Sequence, residues 1–170
     1  MSRIFMMAAS TLAPVALALV TLAPVATAAD APHPRDYVSV QEQTHVDRTA
    51  EQVWKNVGGY CDIGAWLKTT CVYTTGTGGV GTNRLIAGRV DEVLVARTST
   101  AYTYAQPMAE NIYHGTVEVL PDGAGANIVY TLVYDVSALP DATAKASFDS
   151  QKIKFLKNML ATMKQISEAP

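Results

Sequence analysis

The pattern of apolar and polar residues predicts that the chain begins with a strand and then forms two short helices. Residues 37–46 alternate between the two classes, as expected of a strand with one buried face. The segment DRTAEQVWKNVGGY then predicts a helix, with Asp47 or Thr49 available as its N-cap and Gly58-Gly59 at its end. A second helical turn is indicated by three apolar residues, Ile63, Trp66 and Leu67.

The middle of the chain is typical of short strands separated by turns. The predicted strands cover residues 72–75, 84–86, 90–97, 101–105, 112–120 and 126–136. The segment GTGGVG at 76–81 superficially resembles a phosphate-binding loop. Such a loop needs a helix after it, whereas residues 84–86 continue as a strand. We therefore interpret GTGGVG as a hairpin turn.

The apolar spacing changes near the C-terminus and predicts one long amphipathic helix over residues 141–168. Its periodic positions are Phe148, Lys152, Phe155, Leu156, Met159, Leu160, Met163 and Ile166. An antiparallel sheet with helices on one face is an α+β architecture. If a twisted sheet curls around a single helix, we expect an internal gap in which a ligand could bind.

The first 28 residues differ from the rest of the chain. Residues 4–25 are apolar, Arg3 precedes them, and Ala26-Thr27-Ala28 fits the site that a signal peptidase cleaves. A membrane anchor is the alternative, but Pro14 and Pro24 interrupt the run and no basic cluster follows it. We predict a signal peptide at 1–28, a flexible lead-in at 29–36 and one domain at 37–168. The protein would then be periplasmic or secreted.

Charge and the remaining hydropathy exclude two classes of partner. The chain has 13 basic and 15 acidic residues, and removing Arg3 with the signal peptide leaves 12 basic residues. No cluster of Lys or Arg is dense enough for a nucleic-acid groove, so we predict no nucleic-acid partner. No second apolar run is long enough for a transmembrane anchor.

The two cysteines of the chain, Cys61 and Cys71, lie ten positions apart. In an oxidising compartment two nearby thiols normally pair, so we predict a structural disulfide. Free thiols or a chemical role are the alternatives, although the spacing is not C-x-x-C. A metal site would need further ligands, and no histidine lies between Tyr60 and Arg84.

Four local patterns, in this order, carry a resemblance to a known family. They are VDRTAEQVWKNVGGY, CDIGAWLKTTCVYTTGTGGVGTNR, VDEVLVARTSTAYTY and ANIVYTLVYDVS. Together they resemble the START/Bet v 1-like superfamily, also called SRPBCC, and in particular its bacterial polyketide cyclase/dehydrase-like branch. The likeness covers residues 37–167.

The resemblance implies a helix-grip fold: a curved antiparallel β-sheet wrapped around a long C-terminal helix, with two short helices after the first strand. It also implies a deep, largely apolar cavity. The family includes carriers of hydrophobic ligands, receptors, aromatase/cyclases and accessory proteins. One departure is that close members have His-Pro directly after the Trp, where this chain has Leu67-Lys68. A function that depends on that histidine cannot be transferred.

Strand alternation selects the candidate site residues. The residues expected to face the helix and the cavity are Glu92, Tyr104, Tyr130 and Tyr134. Glu92 is either a polar anchor or general base inside an apolar pocket, or a structural partner of Arg84 or of a tyrosine hydroxyl. The tyrosines either orient a ligand's oxygen atoms or pack under the helix.

Four further residues are candidate ligand contacts: Arg84, Trp66, Met159 and Met163. Arg84 could instead reach Glu92 or Asp91, and each of the other three has a plain packing alternative. Trp66 lies beside the predicted disulfide, at the rim or in the core. Met159 and Met163 lie on the helix stripe, where thioethers adapt to varied ligands but also serve as ordinary core. The histidines His33, His45 and His114 are scattered, so we predict no metal site and no cofactor.

Three functions fit these observations. The first is an exported protein that binds a small hydrophobic molecule, lipid-like or polycyclic. The second is a periplasmic accessory protein that docks onto an envelope or dehydrogenase complex. The third is a polyketide cyclase/dehydrase-like enzyme, a lyase in which Glu92, Tyr104 and Arg84 would act as acid/base and oxyanion groups.

Overall fold

The computed structural model describes residues 34–169. The predicted signal peptide and most of the lead-in therefore lie outside the described residues. The strands are β1 (Tyr37–Val46), β2 (Cys71–Thr75), β3 (Asn83–Ile86), β4 (Val90–Arg97), β5 (Ala101–Ala105), β6 (His114–Asp122) and β7 (Gly125–Asp135). The helices are α1 (Ala50–Val57), α2 (Ile63–Leu67) and α3 (Ala142–Glu168).

The strands form one curved antiparallel sheet in the order β1-β7-β6-β5-β4-β3-β2. The first and last strands are neighbours, and their register runs unbroken from Tyr37 opposite Asp135 to Val46 opposite Ala126. Together with the long C-terminal helix, this sheet confirms the predicted α+β helix-grip fold. The segment GTGGVG is the connection of the β2–β3 hairpin, as its flanking strands predicted.

Capping residues fix where α1 and α3 begin. Thr49, rather than Asp47, caps α1: its hydroxyl accepts a hydrogen bond from the Gln52 backbone N–H, and the Gln52 side chain accepts one from the Thr49 N–H. The Asp141 carboxylate accepts a hydrogen bond from the Ala144 N–H at 2.8 Å and starts α3. These contacts satisfy backbone donors that have no partner inside the helix.

Helix α3 covers only part of the inner face of the sheet. Its buried apolar side chains are Leu156, Met159, Leu160 and Met163. The helix packs mainly on β1, and also contacts β7, α1 and α2. The opposite end of the inner face, at β3 and β4, therefore depends on α2 and on loops for its cover.

The start of β6 differs from the sequence prediction. The alternating pattern predicted a strand from residue 112, but the strand begins at His114. Ile112 has a positive φ of 49°, a left-handed conformation that cannot belong to an extended strand. Periodicity does not reveal such a local backbone turn.

The last residues of the predicted lead-in are bound to the domain. The Arg35 guanidinium donates to the Asp135 carboxylate at 2.7 Å, and the Asp36 backbone N–H donates to the same carboxylate at 3.0 Å. The bond from Arg35, followed by that from the Ser137 N–H, holds the pKa of Asp135 well below its usual range. These contacts fix the chain at its entry into β1.

Cys61 and Cys71 form a disulfide, with 5.5 Å between their Cα atoms. The bond joins the residues just before α2 to the first residue of β2. It thereby closes the loop that contains α2, and it confirms the pairing predicted from the sequence.

Among residues 34–169, no helix combines the length and apolar character required to cross a bilayer.

Removing the disulfide should destabilise the fold. In the chain-entropy model, closing a loop of this length lowers the entropy of the unfolded chain enough to stabilise the native state by about 3 kcal/mol. We expect the double variant Cys61→Ala/Cys71→Ala to lose about that much free energy of unfolding in urea denaturation. An unchanged urea midpoint and slope would show that the bond does not constrain the fold.

Candidate functional site

A cavity of about 520 Å³ lies where α3 leaves the sheet uncovered. One wall comes from α2 and the loop after it, and another from the β3–β4 hairpin: Ile63, Leu67, Lys68, Thr69, Ile86, Ala87, Arg89 and Val90. The sheet contributes Glu92, Tyr104 and Tyr130, the connection between β5 and β6 contributes Gln106 and Tyr113, and α3 contributes Phe155. Most of this lining is apolar or aromatic, which is typical of small-molecule sites.

A buried ion pair lies at the base of the cavity. Arg84 of β3 stands directly opposite Glu92 of β4 in the strand register, which places both side chains on the inner face. Their exposed fractions are 0% and 2%. The Arg84 Nε donates to Glu92 Oε2 at 2.8 Å, and the Nη2 of the same guanidinium donates to the same oxygen.

Further hydrogen bonds complete the partners of this ion pair. The Gln106 side-chain amide donates to Glu92 Oε1 at 2.9 Å. The Arg84 Nη1 donates to the backbone carbonyl of Tyr60. Both oxygens of the Glu92 carboxylate thus have a donor, as a buried charge requires.

Aromatic rings surround the guanidinium of Arg84. Its Cζ atom lies 4.0 Å from the centre of the Tyr60 ring and 5.0 Å from that of Tyr104. Burial alone would lower the pKa of Arg84, but the effects of Tyr102 and Glu92 outweigh it and keep the pKa above its ordinary value. Arg84 is therefore a permanent cation held by ring faces and one carboxylate.

Two buried tyrosines share a hydrogen bond beside the ion pair. The hydroxyls of Tyr104 and Tyr130 lie 2.8 Å apart. The Tyr104 ring lies so close over Gly115 of β6 that a Cβ atom at that position would collide with it. Burial raises the pKa of both tyrosines well above the ordinary value, so both are neutral at physiological pH and offer hydroxyls rather than bases.

The structure brings together four of the residues selected from the sequence. Glu92, Tyr104 and Tyr130 line the cavity, and Arg84 lies behind Glu92. These residues come from β3, β4, β5 and β7, so the curvature of the sheet is what assembles them.

The other four selected residues lie in the core and do not line this cavity. Tyr134 is under α3, where its hydroxyl donates to the Asp149 carboxylate at 2.8 Å. Trp66, Met159 and Met163 are buried within the main hydrophobic cluster. Tyr134 is buried against α3, Met159 and Met163 lie on α3 itself, and Trp66 is buried on α2.

Sequence reasoning missed several lining residues. Tyr113 shares the inner face with Val117 and Val119, so strand alternation was a signal that could have found it. Gln106 follows β5 in a loop and reaches Glu92 only through the tertiary fold. No local pattern would have identified it.

The site contains no evident metal ligands. No group of three or more His, Cys, Asp or Glu side chains within residues 34–169 is placed to hold a metal ion. The carboxylate at the base of the cavity is already bound by Arg84 and Gln106. The arrangement suits an apolar ligand with a few oxygen atoms.

Solved structures of other proteins share the fold at low sequence identity. A protein from Nitrosospira multiformis has a TM-score of 0.62 and 19% identity, with 75% of this chain and 94% of that chain covered. Truncated norcoclaurine synthase from Thalictrum flavum has a TM-score of 0.57 and 15% identity, with 77% and 93% covered. The di-domain ARO/CYC protein BexL, from the BE-7585A biosynthetic pathway, has a TM-score of 0.63 and 13% identity, with 79% of this chain and 51% of that chain covered.

These likenesses establish the shared fold alone, and no curated protein sequence matches the chain. A family model described as "Polyketide cyclase / dehydrase and lipid transport" matches residues 37–167, which is most of the chain. The match confirms the resemblance drawn from the sequence patterns. The chain therefore belongs to the polyketide cyclase/dehydrase and lipid transport family.

Proposed function

We propose that the protein is an exported carrier or sensor that holds a small hydrophobic molecule in the cavity beside α3. The observation that carries this proposal is a cavity of about 520 Å³ with mostly apolar and aromatic walls. Its volume falls within the range of roughly 300–1,000 Å³ that is usual for small-molecule sites. Family membership supports the same class of function.

Burial of apolar ligand surface is enough to give modest affinity, without charged residues binding the ligand deep in the site. A ligand that buries roughly 300 Å² of apolar surface would gain about 7 kcal/mol from that burial. The entropy cost of association offsets part of this gain. Micromolar or weaker dissociation constants are the expected result.

Export is a separate element of the proposal. It is supported by the apolar, Ala-x-Ala-terminated segment at 1–28 and by the disulfide between Cys61 and Cys71, which suits an oxidising compartment. A periplasmic accessory role also fits export. That role stays a prediction, because the described residues offer no specific argument for a docking partner.

An enzymatic role for Glu92 is the main alternative, and the contacts of its carboxylate argue against it. A general base needs an accessible oxygen near the substrate, whereas Arg84 donates twice to Oε2 of Glu92 and Gln106 donates to Oε1. We therefore assign Glu92 a structural role that supports the base of the cavity.

Blocking the cavity should abolish ligand binding. Val90 lines the cavity, so the indole ring in Val90→Trp would occupy the space of a ligand. We expect the neutral fluorescent probe N-phenyl-1-naphthylamine to bind the natural protein with micromolar affinity and to bind Val90→Trp at least about tenfold more weakly. Fluorescence titration measures both values.

Val95→Trp is the matched control, because Val95 belongs to the same strand and is 43% exposed. It should bind the probe as the natural protein does. Failure of the natural protein to bind the probe, or equal binding by Val90→Trp and Val95→Trp, would contradict a ligand site in this cavity.

Neutralising Glu92 should destabilise the fold. In Glu92→Gln the guanidinium of Arg84 keeps its charge but loses its carboxylate partner, which typically costs about 3 kcal/mol in a buried site. We expect that loss in the free energy of unfolding from urea denaturation. The double variant Arg84→Met/Glu92→Gln should regain part of it, because no unpaired charge remains.

Asp91→Asn is the control, since Asp91 is adjacent on β4 and forms no ion pair among the described residues. It should leave stability nearly unchanged. If Glu92→Gln were as stable as Asp91→Asn, the ion pair would not stabilise the fold. The structural role assigned to Glu92 would then be wrong, and a catalytic role would be favoured instead.

Processing of the N-terminus tests export. Because Ala26-Thr27-Ala28 has the small residues that signal peptidase requires, we expect full-length expression in a bacterial host to yield a periplasmic product that begins at or near Ala29. Intact-mass measurement of the periplasmic fraction identifies its first residue. A cytoplasmic product that retains residues 1–28 would contradict the proposal.

A further inference from the structure

The rim of the cavity carries positive charge. Lys68 and Arg89 both line the cavity, and both are exposed to solvent. Lys68 is the C-cap of α2, and its positive φ of 51° lets the chain turn there. Arg89 lies in the β3–β4 turn. Two cations from separate elements therefore meet at one opening.

A third cation lies at an adjoining space of about 340 Å³. This space and the main cavity share three lining residues, Gln106, Tyr113 and Phe155, so the two adjoin each other. The Lys152 ammonium lies 4.8 Å from the centre of the Tyr113 ring. Lys152 is half-buried, and burial lowers its pKa below the ordinary value.

No carboxylate neutralises these three cations. Three other lysines of the described chain form ion pairs, namely Lys145 with Asp36 at 2.7 Å, Lys157 with Glu42 and Lys164 with Glu168, whereas Lys55 and Lys154 form none. Within residues 34–169, no carboxylate oxygen lies within 4.0 Å of the charged nitrogens of Lys68, Arg89 or Lys152. Glu92 is the acidic residue that lines the cavity, and its charge is already matched by Arg84.

We propose that the ligand is an anionic amphiphile, with its apolar body against the tyrosines that line the cavity and its acidic group at the mouth, near Lys68, Arg89 and Lys152. The inference rests on the proposed function and specifies the class of ligand. An acidic group at the mouth would gain charge-assisted hydrogen bonds, and it would remain partly hydrated while the apolar body is buried. A carboxylate, a sulfonate or a phosphate would each satisfy this chemistry.

Two fluorescent probes with the same ring system test the proposal. N-phenyl-1-naphthylamine is neutral, whereas 1-anilinonaphthalene-8-sulfonate adds one sulfonate to the same skeleton. We expect Lys152→Gln to weaken binding of the sulfonate probe at least about tenfold, the usual effect of losing one hydrogen bond to a charged group. The neutral probe should change less than about twofold, since its burial is apolar.

Lys154→Gln is the matched control. It removes the same charge from the same helix at an exposed position that lines neither cavity, and both probes should bind it as they bind the natural protein. Adding Lys68→Gln and Arg89→Gln to Lys152→Gln should lower the affinity for the sulfonate probe further. Val90→Trp should weaken both probes, because both would occupy the same cavity.

The outcomes separate the two proposals. If the neutral probe binds and is blocked by Val90→Trp, but Lys152→Gln and Lys154→Gln weaken the sulfonate probe equally, the anionic inference is overturned and the carrier proposal stands. If Val90→Trp leaves the sulfonate probe unaffected, that probe binds elsewhere and the inference again fails. If the neutral probe does not bind at all, the carrier proposal itself is wrong.

Discussion

Incomplete cover of the sheet by its one long helix is the constraint on which the rest of the structure depends. The sheet has seven strands, and α3 packs mainly on β1 at one end of it. In the part of the chain from residue 34 to 169, no long helix lies above the inner face at β3 and β4, so α2, the β3–β4 hairpin and the tyrosines enclose a space instead. The disulfide between Cys61 and Cys71 fixes the segment that carries α2, and so it fixes one wall of the cavity.

The buried Arg84–Glu92 ion pair is a consequence of this arrangement. A charged pair is costly in an apolar core, and here its cost is reduced by aromatic faces and by hydrogen bonds from Gln106 and to the Tyr60 carbonyl. Because the charges of Arg84 and Glu92 neutralise each other, the base of the cavity carries no net charge. The uncompensated charge lies at the rim, and this separation of an apolar interior from a cationic mouth is what an amphiphile would recognise.

The sequence was sufficient to predict the element order and the inner face of the sheet, because strand and helix periods are local properties. Strand alternation placed Glu92, Tyr104 and Tyr130 on that face, and the resemblance supplied the curvature that turns a face into a cavity. Alternation could not tell Tyr130, which lines the cavity, from Tyr134, which lies under α3. That distinction depends on which part of the face the helix covers, a tertiary property that no strand period encodes.

Strand and helix periodicity did not predict which loop residues contribute to the site. Gln106 completes the partners of Glu92, and Lys68 reaches the mouth because α2 ends in a left-handed turn. The positions of both side chains depend on loop conformation, and loops lack the regular residue spacing from which strand and helix faces are predicted. The part of the site built on strands was therefore largely predictable, whereas the loop contributions required the structure.

The most direct test of the central claim is a crystal structure of residues 29–170 with N-phenyl-1-naphthylamine. We expect electron density for the probe beside Val90 and against the side chains of Tyr104 and Tyr130, with the Arg84–Glu92 ion pair intact beneath it. A cavity filled by the side chains of Tyr113 and Phe155, with the probe absent from it or bound elsewhere, would contradict the account.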